Sequence, residues 1–136
     1  MNPVPMQLLP HTAAVGADGW LQVGGVSVQE LAAQYGTPLF VYDEAHLRAR
    51  CREAVSTFGA GHAVFATKAF LCGAMARLAY DEGMLLDVAS AGEMYVALHA
   101  GVPGDALTLH GNNKSLAEIR QALSYGVGRI DRKSVV

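Results

Sequence analysis

From His62 onward, short apolar runs alternate with amphipathic segments, and this alternation restricts the possible folds more than any other feature of the chain. "HAVFA", "MLLDV" and "ALTLH" read as strands, and "VGRI" begins a fourth. Between them lie "AFLCGAMARLAYDEG", with Leu71, Met75 and Leu78 on one helical face, then "SAGEMYVALHAG", then "SLAEIRQALSYG" with Leu116, Ile119 and Leu123 inward. Strands recur about every twenty residues, and each crossover is a single helix. Strands joined in this way run parallel, in right-handed βαβ units. A doubly wound sheet and a (β/α)8 barrel both satisfy the pattern. No G-x-G-x-x-G or G-x-x-x-x-G-K follows any strand, so the usual signature of the doubly wound class is missing. A barrel takes roughly 250 residues. A chain of 136 residues supplies three or four of its eight units.

Upstream of this rhythm the reading changes. Residues 1 to about 26 are rich in Gly and Pro, with one short strand predicted at "WLQV". "SVQELAAQYG" opens on Ser27 and Glu30 in the spacing of a capping box and closes at Gly36. Thr37-Pro38 stops that helix, "LFVYD" reads as a strand, and "EAHLRARCREAVSTFG" reads as a long helix ending at Gly59.

Composition removes several classes of function. The chain is 51% hydrophobic and 16% charged, which argues for a packed core rather than disorder. Its net charge is -2, and its 10 basic residues form no cluster that would attract nucleic acid or an anionic membrane. The N-terminus lacks a basic region and is broken by Pro3, Pro5 and Pro10, unlike a signal peptide. No apolar run approaches the roughly 18 residues needed to cross a bilayer. Cys51 and Cys72 have neither metal-ligand nor redox spacing and are expected to sit reduced in helices of a cytoplasmic protein. His11, His46, His62 and His99 likewise show no ligand spacing, so no metal site is expected.

In parallel α/β folds chemistry gathers where strands end and helices begin. Here the first strand of the series ends in Thr67-Lys68, the second in Asp87 and Ser90, and the third in His110-Gly111-Asn112-Asn113-Lys114. A lysine, an aspartate and a histidine-asparagine group therefore converge on one rim. Each also has a bland explanation. Lys68 could be a solvated loop lysine. Asp87 could accept from loop N–H groups, and His110 and Asn112 could order their loop. Ser90/Glu93 repeats the S-x-x-E spacing of Ser27/Glu30 and Ser115/Glu118, so Glu93 is expected to cap its own helix.

The stretches "FATKAFLC", "LLDVASAGEMYVALHAGVP" and "LTLHGNNKSLAEI", with "YGTPLFVYDEAHLRAR" before them, resemble the fold-type III pyridoxal-phosphate decarboxylases and, among these, the diaminopimelate decarboxylase family. The resemblance spans roughly residues 19 to 130, with several motifs in the same order and spacing. It implies an α/β fold, a partial (β/α)8 TIM barrel of alanine racemase type comprising the first three to four βα units. Residues 44–130 would form this N-terminal half of the barrel, and residues 1–43 would contribute to a separate β-domain. It further implies that Lys68 is the catalytic lysine and holds pyridoxal 5'-phosphate covalently. A partly desolvated setting would keep such an amine nucleophilic. Asp87, His110 and Asn112 match positions around the same cofactor. The implied reaction is decarboxylation at the D-configured end of meso-2,6-diaminopimelate to give L-lysine, in a cytoplasmic homodimer with shared active sites. An ornithine- or arginine-type decarboxylase and a non-catalytic pyridoxal-phosphate protein are the alternatives. The last six residues, 131–136, "DRKSVV", break the strand pattern. They are read as a truncation tail matching one frame of a sequencing adapter, which would leave a fragment inactive alone, with its outer strands unpaired.

Overall fold

The alternation seen from His62 onward builds a parallel sheet in the computed structural model, which describes residues 4–131. Two compact units are present, Met1–Arg50 and Cys51–Val136. Residues 132–136, and with them all of the expected tail except Asp131, lie outside the described residues.

In the first unit, β1 (Ala14–Val15), β2 (Leu21–Val23) and β3 (Val26–Ser27) form an antiparallel meander that leads directly into α1 (Val28–Tyr35). The predicted "WLQV" strand corresponds to β2, whereas β1 and β3, each only two residues long, are too short to show a period in the sequence. Ser27 caps α1 by accepting from the N–H of Gln29, and the reciprocal capping box expected with Glu30 does not form. "LFVYD" pairs with no strand among the described residues, and Phe40 is 87% exposed. A strand needs a partner for its N–H and C=O groups, and apolar composition alone does not supply one. Asp43 caps the next helix, α2 (Glu44–Phe58): its Oδ1 accepts from the N–H of His46 at 3.1 Å. Its Oδ2 accepts from the hydroxyl of Thr12, whose oxygen in turn accepts from the N–H of Gly24 at 2.9 Å.

The second unit holds a four-stranded parallel sheet in the order β4 (Val64–Ala66), β5 (Leu85–Val88), β6 (Leu107–Leu109), β7 (Arg129–Ile130). Connecting helices are α3 (Gly73–Asp81), α4 (Ala91–His99) and α5 (Leu116–Ser124). Strand order equals chain order, and the sheet does not close on itself. In register across it lie Phe65, Leu86 and Leu107 in one row, and Val88, Leu109 and Ile130 in another. Leu86, Val88, Leu107 and Leu109 are buried together with Met75, Ala76, Leu78 and Ala79 of α3 and Met94 and Ala97 of α4. Because side chains alternate along a strand, the opposite face carries Ala66, Asp87, Thr108 and Arg129 in a single row across all four strands.

Three details depart from the sequence reading. Residues 70–72 are not helical: α3 begins at Gly73 with Cys72 as an exposed N-cap, so Leu71 lies before the helix rather than on its apolar face. Leu116 and Leu123 are 71% and 68% exposed, whereas Ala122 is fully buried. At roughly 100° per residue, these two leucines lie about 100–120° around α5 from Ala122, so the buried stripe of α5 is out of phase with the one its leucines suggest. Third, the turns before β6 and β7 meet backbone to backbone. Gly128 N–H donates to the Gly104 carbonyl at 3.1 Å. A Cβ on Gly104 would stand 1.9 Å from the Tyr125 carbonyl oxygen, and one on Gly128 2.4 Å from that of Asp105. Only glycine permits this approach.

This packing has measurable consequences. Gly104→Ala and Gly128→Ala should each destabilise the sheet unit by about 3 kcal/mol through backbone displacement, whereas loss of the α5 cap in Ser115→Ala should cost about 1 kcal/mol. Urea unfolding ranks the three, and equal losses would refute the close approach. The Thr12 hydroxyl bond, assisted by the His46 N–H and the nearby charge of His11, holds the Asp43 carboxyl below its ordinary 3.8 despite burial pushing it up. A depressed carboxyl stabilises the fold above its unfolded value, and that contribution is lost as pH falls through the folded value. The urea midpoint should therefore drop on acidification below about pH 4, and Asp43→Asn should flatten that dependence. Parallel curves for the two proteins would contradict it.

Candidate functional site

The strand ends do converge. Each β-strand of the sheet delivers its C-terminal residue to the same rim, because all four run parallel in neighbouring register. β4 passes into a single 3-10 turn, Thr67–Ala69, with Lys68 at its centre. Asp87 sits within β5 beside Ala66, and His110 follows β6, its N–H donating to the Val88 carbonyl at 2.8 Å.

Lys68 is exposed, and no described residue makes a hydrogen bond or ion pair with its ammonium. The partly desolvated setting expected for it is therefore absent from these strands. The turn follows the C-terminal end of β4, an end strand of the sheet, and the helices cover the other face. Asp87 is half-buried on the open face, and its Oδ1 is inaccessible to water and has no hydrogen-bond partner. A carboxylate oxygen shut off from solvent without a donor is costly to leave that way. Asn112 is exposed, and His110 is half-exposed, with Nδ1 3.3 Å from Oδ2 of Asp131. No hydrogen bond joins the four candidate side chains to one another among the described residues. What the fold supplies is a common rim, with the free amine and the orphaned carboxylate on adjacent strands.

Two arrangements at this rim escape a reading of the sequence. One ties the "HGNNK" loop. Lys114, its side chain only 10% exposed, donates to Oδ1 of Asp131 at 2.7 Å, to the Asp131 carbonyl at 2.6 Å and to the Gly111 carbonyl. Asp131 extends β7, donating to the Leu109 carbonyl, and its Oδ1 also accepts from Gly111 N–H at 3.2 Å. The Lys114 bond, seconded by Gly111 and the neighbouring charges, holds the Asp131 carboxyl below the usual aspartate range. Gly111 adopts φ 137°, a conformation side chains resist, which lets the chain turn there.

The other arrangement surrounds Glu93. Ser90 caps α4 as expected, accepting from Glu93 N–H at 3.2 Å. The carboxylate of Glu93, however, does not return to the Ser90 N–H, and its predicted capping-box role is not realised. Its Oε2 lies 2.6 Å from the donor N–H of Ala89 and 2.9 Å from the hydroxyl of Thr67. Thr67 Oγ1 is also 2.8 Å from the Asp87 carbonyl. The full box forms instead at Ser115/Glu118. There the N–H and hydroxyl of Ser115, with the N–H of Ala91, hold Glu118 below its ordinary range. Thr67 beside Lys68 was the available signal, concealed by a serine that explained Glu93 without it.

Among the described residues no group of three or more His, Cys, Asp or Glu could hold a metal ion, and no helix is long and apolar enough to cross a membrane. A cleft of about 320 Å³, lined by Ala54, Phe58, His62, Ala63, Val64 and Met84, opens at the N-terminal ends of β4 and β5 and contains none of the candidate residues.

A lysine on the turn after one strand and a carboxylate on the next thus stand at the open face of a partial α/β barrel. Residues 44–135 match the family described as pyridoxal-dependent decarboxylase, pyridoxal binding domain, and the chain belongs to that family. It is similar to the diaminopimelate decarboxylase of Mycobacterium tuberculosis strain H37Rv, at 50% identity over 113 residues covering 82% of this chain. That of Bacillus subtilis strain 168 is 45% identical over 126 residues, 90% of this chain. The chain spans 25% and 29% of those two proteins. The crystal structure of a diaminopimelate decarboxylase from M. jannaschii in co-complex with L-lysine superposes with a TM-score of 0.77 at 28% identity, over 90% of this chain and 30% of that one. The partial barrel expected from the sequence is thus the fold observed.

Proposed function

We propose that this chain carries the cofactor lysine of a diaminopimelate decarboxylase, and that the complete enzyme converts meso-2,6-diaminopimelate to L-lysine. The observation that carries the reading is the juxtaposition at the rim: on one strand end a Lys68 amine that none of the described residues binds, and on the next the orphaned Asp87 Oδ1. These residues fit pyridoxal 5'-phosphate chemically, since that molecule offers an aldehyde to an amine and hydrogen-bonding groups to a carboxylate. When bound, it supplies a ring that takes up the electron pair left as CO₂ departs.

The chain's own residues then have distinct duties. Lys68 would hold the cofactor through its amine, a role that asks for a side chain both reachable and unpaired among its neighbours. Asp87, half-buried on the open face of the sheet, would border what lies over it. His110 and Asn112 bound the pocket at the end of β6. Relatives at 43–52% identity are named diaminopimelate decarboxylases, which favours that substrate over the ornithine or arginine type. In this reading residues 1–43 contribute to a β-domain and residues 44–130 to the first half of the barrel. The enzyme works as a cytoplasmic homodimer whose active sites draw on both subunits.

Borohydride reduction of the chain mixed with pyridoxal 5'-phosphate tests the assignment. The trapped label should map to Lys68 and vanish from that peptide in Lys68→Ala with the fold intact by circular dichroism. Label spread evenly over Lys68, Lys114 and the α-amino group would overturn it.

A further inference from the structure

The turn bearing Lys68 is held by a side chain that is not itself reactive. Thr67 is 1% exposed, and its Oγ1 stands 2.8 Å from the Asp87 carbonyl and 2.9 Å from Glu93 Oε2. Both neighbours are acceptors, and a hydroxyl has one proton to donate. The proton is therefore shared between the end of β5 and the first turn of α4. Glu93 is fixed from its other side, since Ala89 N–H donates to the same Oε2 at 2.6 Å and Ser90 holds the Glu93 N–H. Three pieces, the β4 turn, the β5 end and the α4 start, are thus joined through two oxygen atoms. The residue after Thr67 is Lys68, whose own side chain is held by none of the described residues.

We infer that Thr67 and Glu93 are positioning residues for Lys68, fixing the backbone from which its amine reaches the cofactor while leaving the amine free. The inference rests on the reading of Lys68 as the cofactor lysine and adds to it how the lysine is aimed. A four-carbon stem carrying a compact charge has many rotamers. Its reach is directed only if its Cα and Cβ are held, and small misplacements of a nucleophile cost large factors in rate. Glu93 serves this purpose better than a second backbone bond would. Its carboxylate accepts a charge-assisted hydrogen bond from Ala89 and couples the turn to α4, one of the helices packed on the buried side of the sheet.

The test compares Thr67→Val, Thr67→Ser, Glu93→Ala and wild type, each as the 136-residue chain. Timed borohydride quenching with pyridoxal 5'-phosphate gives the rate of labelling at Lys68, normalised to the α-amino group. Valine fills the space of threonine without its hydroxyl, and serine keeps the hydroxyl. Thr67→Val and Glu93→Ala should slow Lys68 labelling about tenfold, and Thr67→Ser should restore it to near the wild-type rate. Labelling of Thr67→Val at the wild-type rate, or failure of serine to restore it, overturns the inference. A second measurement needs no cofactor: amide exchange at Lys68 and Ala69 should quicken in Thr67→Val and Glu93→Ala and return toward wild type in Thr67→Ser. If wild-type Lys68 labels no faster than the α-amino group, the cofactor reading fails, and exchange still decides whether Thr67 and Glu93 hold the turn. Unchanged exchange in both variants would show that they do not. Should Glu93→Ala unfold, seen as a lost circular dichroism signal, Thr67→Val against Thr67→Ser decides by itself.

Discussion

Everything at the rim depends on the register of four short parallel strands. Ala66, Asp87, Thr108 and Arg129 lie side by side because their strands pair without offset. In a parallel sheet a slip of one residue would turn every side chain to the opposite face. Asp87 would then face the helices and Leu86 the open side. The burial of Leu86, Val88, Leu107 and Leu109 beneath α3 and α4 prevents that slip, since four large apolar side chains would lose their cover together. The polar row is thus held in place by the apolar row behind it. Polar row and core share one set of strands, with alternate residues assigned to each.

The βα units also carry a repeated polar link, and its variation is informative. Glu118, third residue of α5, completes a box with Ser115 and also accepts from the N–H of Ala91 at the start of α4. Glu93, third residue of α4, reaches back in the same sense but forgoes its own box, taking Ala89 and Thr67 instead. Each glutamate therefore joins its helix start to an earlier βα unit. At α5 the link is backbone to carboxylate and fastens structure to structure. At α4 a side chain from the turn of Lys68 has been brought into it. The same three-residue spacing serves capping in one unit and a tie to an earlier turn in the next.

Much of this was legible in the sequence, for reasons that also explain what was not. Strand and helix alternation depends on period and length, so β4 to β7 and α2 to α5 could be read directly. The rim followed from topology, since parallel strands must end on the same side. Leu116 and Leu123 mislead because two large apolar residues outweigh Ala122 in setting the apparent phase of α5, although burial depends on position and not on size. "LFVYD" misleads because a strand is a relation between two segments, and a single segment contains only half of it. Glu93 does so for a related reason: Ser90 gives a sufficient local explanation, and the competing partner, Thr67, is twenty-six residues away in sequence. Long-range polar contacts leave no periodic trace.

The contrast between Thr67 and Lys68 states the problem that such a site must solve. The role proposed for Lys68 asks for an amine that is unpaired, yet an unpaired lysine on a turn has no contact of its own to direct it. Burying the ammonium would direct it but would cost desolvation and hinder release of the product. The chain separates the two requirements between adjacent residues. Thr67 is buried and bound from two sides, and Lys68 is exposed and bound by none of the described residues. Because the two share a peptide plane, rigidity at the first limits the cone swept by the second without touching its charge. The orphaned Asp87 oxygen on the neighbouring strand completes the division. Its carboxyl is half-buried where the lysine is exposed, so the two groups at the rim differ in how far the fold itself holds them.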